Sequence, residues 1–468
     1  MKTGKKMTTI DKVSYVLLAI ALGIYVTAQG LTHNPDMDSF FLISFGKYIV
    51  THGALPTTAY WMITPDVPTI VQQWLCDVLN YCAYAAGGYT GMVILGILFN
   101  LTLLGALFLY CRNTCKSNQV GFNAAAFCWI LLGGFASTRP YSITISLALL
   151  EGILLRNFFA NEKHTKKEIA LFYAGIAGIF IFQANWQASN LLYPVLWILC
   201  YVPVIKAKKF RIDLYALAAI PLGILCSVIS PIGIHGPLYL TYAKGTLERF
   251  HILEVEPPHF PSIYTVMQVI VIALFIYAIV KRKITSAQTF LTLGCLAMSF
   301  LFMRCCWTLV LPIGMLVANL KFTERSHKMM RWTYVAAGIL SVFLILKFNL
   351  EKTDDRQRMY EAVPPPEEVT LYTDFNTGTF FLVEDYKIYF DTRPELYDYR
   401  ICGDKAYLDE AYAAWAGDLD YDAFIDKYGF DWFAVSTNMP MDTYLASNGD
   451  YEFVFCNEKD EINIYKKK

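Results

Sequence analysis

Long apolar runs recur along this chain, most of them about 17 to 22 residues, and each such run can cross the roughly 30 Å of a bilayer's hydrocarbon. They fall at residues 13–31, 90–111, 119–136, 141–158, 167–184, 190–205, 212–230, 263–280, 286–303, 306–320 and 332–348. In lipid a helix is the only single segment that satisfies its own backbone. The expectation is therefore an α-helical polytopic membrane protein with about eleven transmembrane helices. The first run is long and precedes no soluble mature domain, so it reads as a span and not as a cleaved leader. The formal net charge is zero, so no global field recruits nucleic acid, and only the local placement of charge is informative.

That placement is one-sided. Lys2, Lys5, Lys6 and Lys12 precede the first run. Arg112 and Lys116; Arg156, Lys163, Lys166 and Lys167; Lys206, Lys208, Lys209 and Arg211; Lys281, Arg282 and Lys283; and Lys321, Arg325, Lys328 and Arg331 fill alternate connections. Because basic residues are retained on the cytoplasmic side, these connections and the N-terminus are expected inside a plasma membrane, and the C-terminal tail outside. The opposite connections hold only Lys47, Arg139, Lys244, Arg249 and Arg304.

Two of the outer connections are long. The first, 32–89, carries apolar residues at helical spacing over Phe40–Ile49, a turn at Pro56 and a second helical piece over Ile70–Ala86. Both read as helices lying in the interface plane. The second, 230–264, holds Pro231, His235, Pro237, Glu254, Glu256, Pro257 and Pro258, and long loops are where function collects. Beyond about residue 348 the composition turns polar. The domain expectation is a transmembrane domain over 1–350, a stiff linker over 351–366 containing Pro364-Pro365-Pro366, and a small extracytoplasmic α/β domain over 367–468. Its expected strands are Val369–Tyr372, Thr379–Val383, Lys387–Phe390, Trp432–Val435, Glu452–Cys456 and Ile462–Tyr465, with helices near Lys405–Trp415 and Tyr421–Lys427. The twelve cysteines lie mostly in apolar runs without zinc spacing; Cys402 and Cys456 stand in the tail, where a disulfide between them is open.

Asp36 and Asp38 sit where the first span reaches water, and spanning a bilayer does not need them. The string Asp36-x-Asp38-x-Phe40-Phe41, followed by Gly46, Ile49, Gly53 and Leu55-Pro56, resembles the first outer loop of the bacterial polytopic glycosyltransferases of the C-type (GT-C) fold. The similarity continues through Trp74-Leu75, Arg139-Pro140, Asn185, Ser230-Pro231-x-Gly233, Glu254, Arg304 and Phe390-Asp391-x-Arg393-x-Glu395-x-Tyr397. Two positions depart from the pattern. Leu42 stands where many relatives carry a histidine, and Asn185-Trp186-Gln187 where Asn-x-His is common, so a histidine-dependent step is not carried over.

The resemblance implies transfer of a sugar from a polyprenyl-phosphate carrier to an extracytoplasmic glycan, lipid or protein. Such a reaction needs a base for the acceptor hydroxyl and cations for the departing lipid phosphate. In the relatives the catalytic aspartate stands at a set spacing before a glycine of the same loop; Asp38 with Gly53 meets that spacing better than Asp36. Direct displacement would invert the anomeric carbon, and hexosyl or pentosyl transfer both fit.

Each residue also has a plainer reading. Asp38 or Ser39 can cap a helix, Asp36 can be a solvated carboxylate, and Asp36 with Asp38 can offer oxygen ligands to a divalent cation. Arg139 and Arg304 suit a phosphate clamp by their forked geometry, or else snorkel to headgroups. His235, Lys244 and Arg249 could assist them. Trp74, Asn185, Trp186 and Glu254 are candidate substrate contacts, with interfacial anchoring or a turn as alternatives. Two other classes compete with the enzyme: a transporter or flippase of lipid-linked sugars, which calls for ionisable groups at mid-membrane, and a non-catalytic envelope assembly protein.

Overall fold

The structure is a computed structural model. It describes residues 37–64, 67–132, 137–206, 209–239, 241–242, 256–319, 355–403 and 405–468, with isolated positions in 9–24 and 332–339. In chain order the helices and strands are α1 (Met37–His52), α2 (Trp74–Cys115), α3 (Asn118–Leu131), α4 (Tyr141–Phe159), α5 (Lys166–Trp186), α6 (Leu192–Leu199), β1 (Pro203–Lys206), β2 (Lys209–Ile212), α7 (Leu214–Ser227), α8 (Ile263–Val280), α9 (Ser286–Leu301) and α10 (Val310–Asn319). The tail adds α11 (Asp355–Glu361), β3 (Leu371–Thr373), α12 (Gly378–Leu382), α13 (Tyr399–Cys402), α14 (Lys405–Ala416), α15 (Tyr421–Tyr428), β4 (Trp432–Ser436), α16 (Pro440–Ser447), β5 (Tyr451–Asn457) and β6 (Ile462–Lys467). Two compact units result, both discontinuous in sequence: Met1–Asn34 with Val93–Gly233 and Leu253–Asn349, and Pro35–Met92 with Ile234–Ile252 and Leu350–Lys468.

The first unit is helical. Among the described residues four helices, α2, α4, α5 and α8, are long and apolar enough to cross a membrane, and Ala188–Leu199, Leu214–Ser227, Ser286–Leu301 and Met303–Val317 are shorter apolar helices. Helix starts follow local rules. Thr165 with Glu168, Ser262 with Thr265 and Thr285 with Gln288 form reciprocal capping boxes at α5, α8 and α9. Two expected spans are shorter than the apolar composition indicates. The run at 190–205 stops at Leu199 and turns into the β1–β2 hairpin, and the run at 212–230 becomes helical only at Leu214, because Asp213 accepts the Tyr215 and Ala216 amides as a cap. The expected span at 13–31 is helical over 15–21, and the one at 332–348 lies almost wholly outside the described residues. Glycines let helices meet closely. A Cβ on Gly223 would come within 2.7 Å of the Phe180 ring, and one on Gly152 within 2.9 Å of Tyr110. Buried polar pairs join helices too: Ser142 Oγ donates to Asn100 Oδ1 (3.2 Å), and Gln268 Nε2 to the Ser299 carbonyl (2.9 Å).

The second unit is α/β. Its sheet has the order β3-β4-β6-β5, with β3 parallel to β4 and the other pairs antiparallel. Residues 35–92 belong to this unit with the tail. Helix α1 is buried without interruption from Ser39 to Gly46, so it is a core helix and not one with a single apolar face. Gly46 permits this: a Cβ there would stand 2.1 Å from the Asp77 carbonyl oxygen. The segment Thr379–Val383, expected as a strand, is mostly helix α12, because Asp374 accepts the Asn376 and Thr377 amides (2.9 and 3.0 Å) and turns the chain into it. Lys387–Phe390 makes one isolated bridge, Ile388 to Met62, with no extended ladder. Pro364, expected in a stiff linker, accepts a hydrogen bond from Tyr386 Oη (2.8 Å). Cys456 is a free thiol.

Candidate functional site

In the second unit the site is built around the start of α1. Asp38 is the second residue of that helix, inside the first turn and not at its cap. There its carboxylate faces the positive end of the helix dipole. It is half-buried, and Oδ1 accepts a hydrogen bond from Thr392 Oγ1 at 3.0 Å. Thr392 is fixed from both sides. Asp391, wholly buried, pairs with the Arg393 guanidinium, and the Arg393 amide donates to Asp391 Oδ1 at 2.9 Å. The guanidinium carbon lies 4.5 Å from the Phe41 ring centre, 4.3 Å from Phe45 and 5.1 Å from Trp61. Phe41 and Phe45 are one turn apart on α1, so the helix that carries Asp38 also grips the arginine beside Thr392. Burial alone would lower the Arg393 pKa, but the Asp391 carboxylate outweighs it and holds the value above the ordinary one. Asp77 is wholly buried near the start of α2.

Other expected residues of this unit are more dispersed. Trp74 opens α2 and is half-buried. His235 is exposed, with Nδ1 3.3 Å from Tyr242 Oη. Its segment is tied to the tail by Tyr239 Oη donating to Glu395 (3.1 Å) and by Arg400 donating to the Tyr242 carbonyl (2.7 Å). Asp36, Lys244, Arg249 and Glu254 lie outside the described residues. Among the described residues no cluster of three or more His, Cys, Asp or Glu side chains is arranged to hold a metal ion.

In the first unit Arg139 and the hydrogen-bond partner of Arg304, Tyr141, both lie at the start of α4. Arg139 precedes Pro140 and Tyr141, is half-buried, and its amide donates to Ser137 Oγ at 3.2 Å. Arg304, in the short 3-10 helix Met303–Leu309, donates to Tyr141 Oη at 2.7 Å. A side chain 163 positions along the chain thus reaches the start of α4. Trp186, 2% exposed, donates its indole N–H to the Pro140 carbonyl (2.9 Å) and packs edge-on to Phe99. Asn185 donates to the Ile181 and Ile229 carbonyls (2.7 and 2.9 Å).

Some residues escape the sequence reading. Thr392 and the caged Arg393 lie within a motif that the resemblance quotes, and the i,i+4 pair Phe41 and Phe45 was the available signal. Glu151 had none beyond its position. It stands midway along α4, wholly buried, with neither carboxyl oxygen bonded among the described residues, beside a void of about 10 Å³ walled by Thr144, Gln183 and Asn190. That is about the space one water needs.

An apolar helical unit is thus combined with an α/β unit assembled from residues 35–92, 234–252 and 350–468. No family model matches the sequence, and no match is found among curated proteins. Solved structures do match. ArnT from Cupriavidus metallidurans, in the apo state, aligns over 98% of this chain and 98% of its own with a TM-score of 0.53 at 12% identity. The same protein bound to undecaprenyl phosphate aligns over the same shares with a TM-score of 0.55 at 12% identity. At that identity the likeness is one of fold.

Proposed function

We propose that the protein is a plasma-membrane glycosyltransferase that moves one sugar from a polyprenyl-phosphate donor to an extracytoplasmic acceptor. The fold shared across the chain with a protein captured on undecaprenyl phosphate carries this reading. In the proposed reaction Asp38 removes the proton of an acceptor hydroxyl. The oxygen attacks the anomeric carbon, the bond from that carbon to the phosphate oxygen breaks, and configuration inverts. Arg139 and Arg304 hold the phosphate as its charge grows, while Thr392 aims the carboxylate. Trp186 and Asn185 act as positioning residues for the Arg139 corner. Asp36 backs Asp38 or shares a divalent cation with it; His235, Lys244, Arg249, Trp74 and Glu254 line the donor or acceptor. The chain crosses the bilayer about eleven times, N-terminus inside, with the α/β unit outside.

The mid-membrane Glu151 favours a second reading, a carrier of lipid-linked sugars. One experiment separates them. Purified protein in liposomes receives a radiolabelled polyprenyl-phosphate sugar and cell-envelope extract as acceptor. Transfer predicts label leaving the lipid fraction with release of polyprenyl phosphate. A donor that changes leaflet with its sugar–phosphate bond intact would identify the carrier and overturn the enzyme.

A further inference from the structure

A cavity within the first unit lies at the other end of α4 from Arg139. It encloses about 560 Å³ where α4 ends, between the loop 160–164, the β1–β2 hairpin and the start of α9. Arg139 and Arg156 are 17 residues apart, so along α4 the two places stand about 25 Å apart. The volume is that of a site for an organic ligand and exceeds what a bare ion fills.

Its walls carry donors without anionic partners. Arg156 is held by Asn113 and Thr114, both neutral, and no carboxylate pairs with it among the described residues. Trp197, 2% exposed, adds its ring to the wall. Arg211 on β2 is exposed at the rim, and His164 stacks on Phe158 at 3.8 Å with Tyr215 at its edge. Two carboxylates share the rim. Asp213 is committed to capping α7, and Glu162 is exposed. Beneath the donors the floor is apolar: Leu155, Leu311 and Met315 line it.

We propose that this cavity binds the phosphate headgroup of an anionic membrane lipid, with Arg156 and Arg211 on the phosphate oxygens and the acyl chains over the apolar floor. The location fits. Lys163, Lys166, Lys167 and Lys281–Lys283 cluster at helix ends in the same set of connections, and basic pockets between membrane helices take anionic headgroups. On the orientation proposed above this is the cytoplasmic leaflet, opposite the transfer site, and the binding chemistry stands whether or not the chain is a transferase.

The shared chemistry is a phosphate ester, and a soluble phosphate could offer the same oxygens, so the test includes both. Native mass spectrometry of the full-length protein in neutral detergent would measure retention of phosphatidylglycerol, phosphatidylcholine and inorganic phosphate, for the parent, Arg156→Gln and Arg211→Gln. The expected result is selective retention of phosphatidylglycerol, weakened about tenfold in each variant, as loss of one bond to a charged group implies. Equal retention of the two lipids, displacement by inorganic phosphate at matched concentration, or variants that bind like the parent would overturn it. Arg211 is exposed on the hairpin, so its variant keeps the test decisive if Arg156→Gln folds poorly.

Discussion

Replacing Asp38 with asparagine changes one oxygen to an amide and separates a helix-stabilising role from a chemical one. The structural cost follows from its two interactions. Removing a negative charge from the first turn of α1 forfeits about 0.3–1 kcal/mol, and the Thr392 hydrogen bond, 3.0 Å long, becomes a neutral one, a loss of about 1 kcal/mol. Asp38 is half-exposed, so the total stays near 1–2 kcal/mol and the protein remains folded. An amide cannot take a proton, so transfer should fall about 10²- to 10⁴-fold, or roughly 2.7–5.4 kcal/mol of activation free energy. Thr392→Val leaves the base but not its aim and should cost about tenfold; in the double variant that second loss should disappear, because nothing remains to be aimed. The assay is label transfer in liposomes beside thermal unfolding of each variant. Transfer by Asp38→Asn within about threefold of the parent would refute the base, and a Thr392→Val loss that persists in the double variant would refute the coupling.

Arg139→Lys and Arg304→Lys keep the charge but lose the fork, so donor KM should rise about tenfold; unchanged KM at both would make them anchors. Gly46→Ala places a carbon against the Asp77 carbonyl and should lower the stability of the second unit by about 1–3 kcal/mol, and an unaltered unfolding curve would contradict the contact. Arg356 grips Asp460 through two bonds of 2.7 and 2.8 Å. Burial pushes the Asp460 pKa up, but the Arg356 hydrogen bonds and charge outweigh that and hold it below the ordinary carboxylate value. A depressed pKa contributes stability above the unfolded value, about 3.9, that is lost as pH falls through the folded one. Asp460→Asn should therefore unfold earlier than the parent at pH 7, with the gap beginning to close only as pH falls below about 4 and gone once pH is under the depressed folded value; a gap that widens in acid would disprove the pairing.

The helical fold was legible because length and apolarity alone demand it; Asp38 was singled out by the family resemblance, through its spacing to Gly53, and its place at the start of α1 beside Thr392 came only with the structure. Other features were hidden for physical reasons. Apolar residues over Phe40–Ile49 fit an interfacial face as well as a fully buried helix, and only the partners contributed by the tail decide between them. Thr379–Val383 has strand composition, yet the Asp374 turn before it starts a helix, and a short apolar run carries no period to tell the two apart. Glu151 was a single letter in an apolar run. The Arg304–Tyr141 contact joins distant residues, and nothing local encodes it.

Phe41 and Phe45 clasp Arg393, yet nearly 350 residues separate them in the chain. At about 5–20 residues per second on the ribosome, α1 emerges roughly 20 to 70 s before its clasp exists. The sheet has a similar delay, since β6 is made after β5 and then inserts between β4 and β5. During that interval a nascent α1, apolar around much of its girth, has the bilayer surface as its one ready shelter from water. Birth order thereby keeps Asp38 unaimed until Thr392 arrives, so a ribosome-bound fragment ending before the tail holds the carboxylate without the group that orients it.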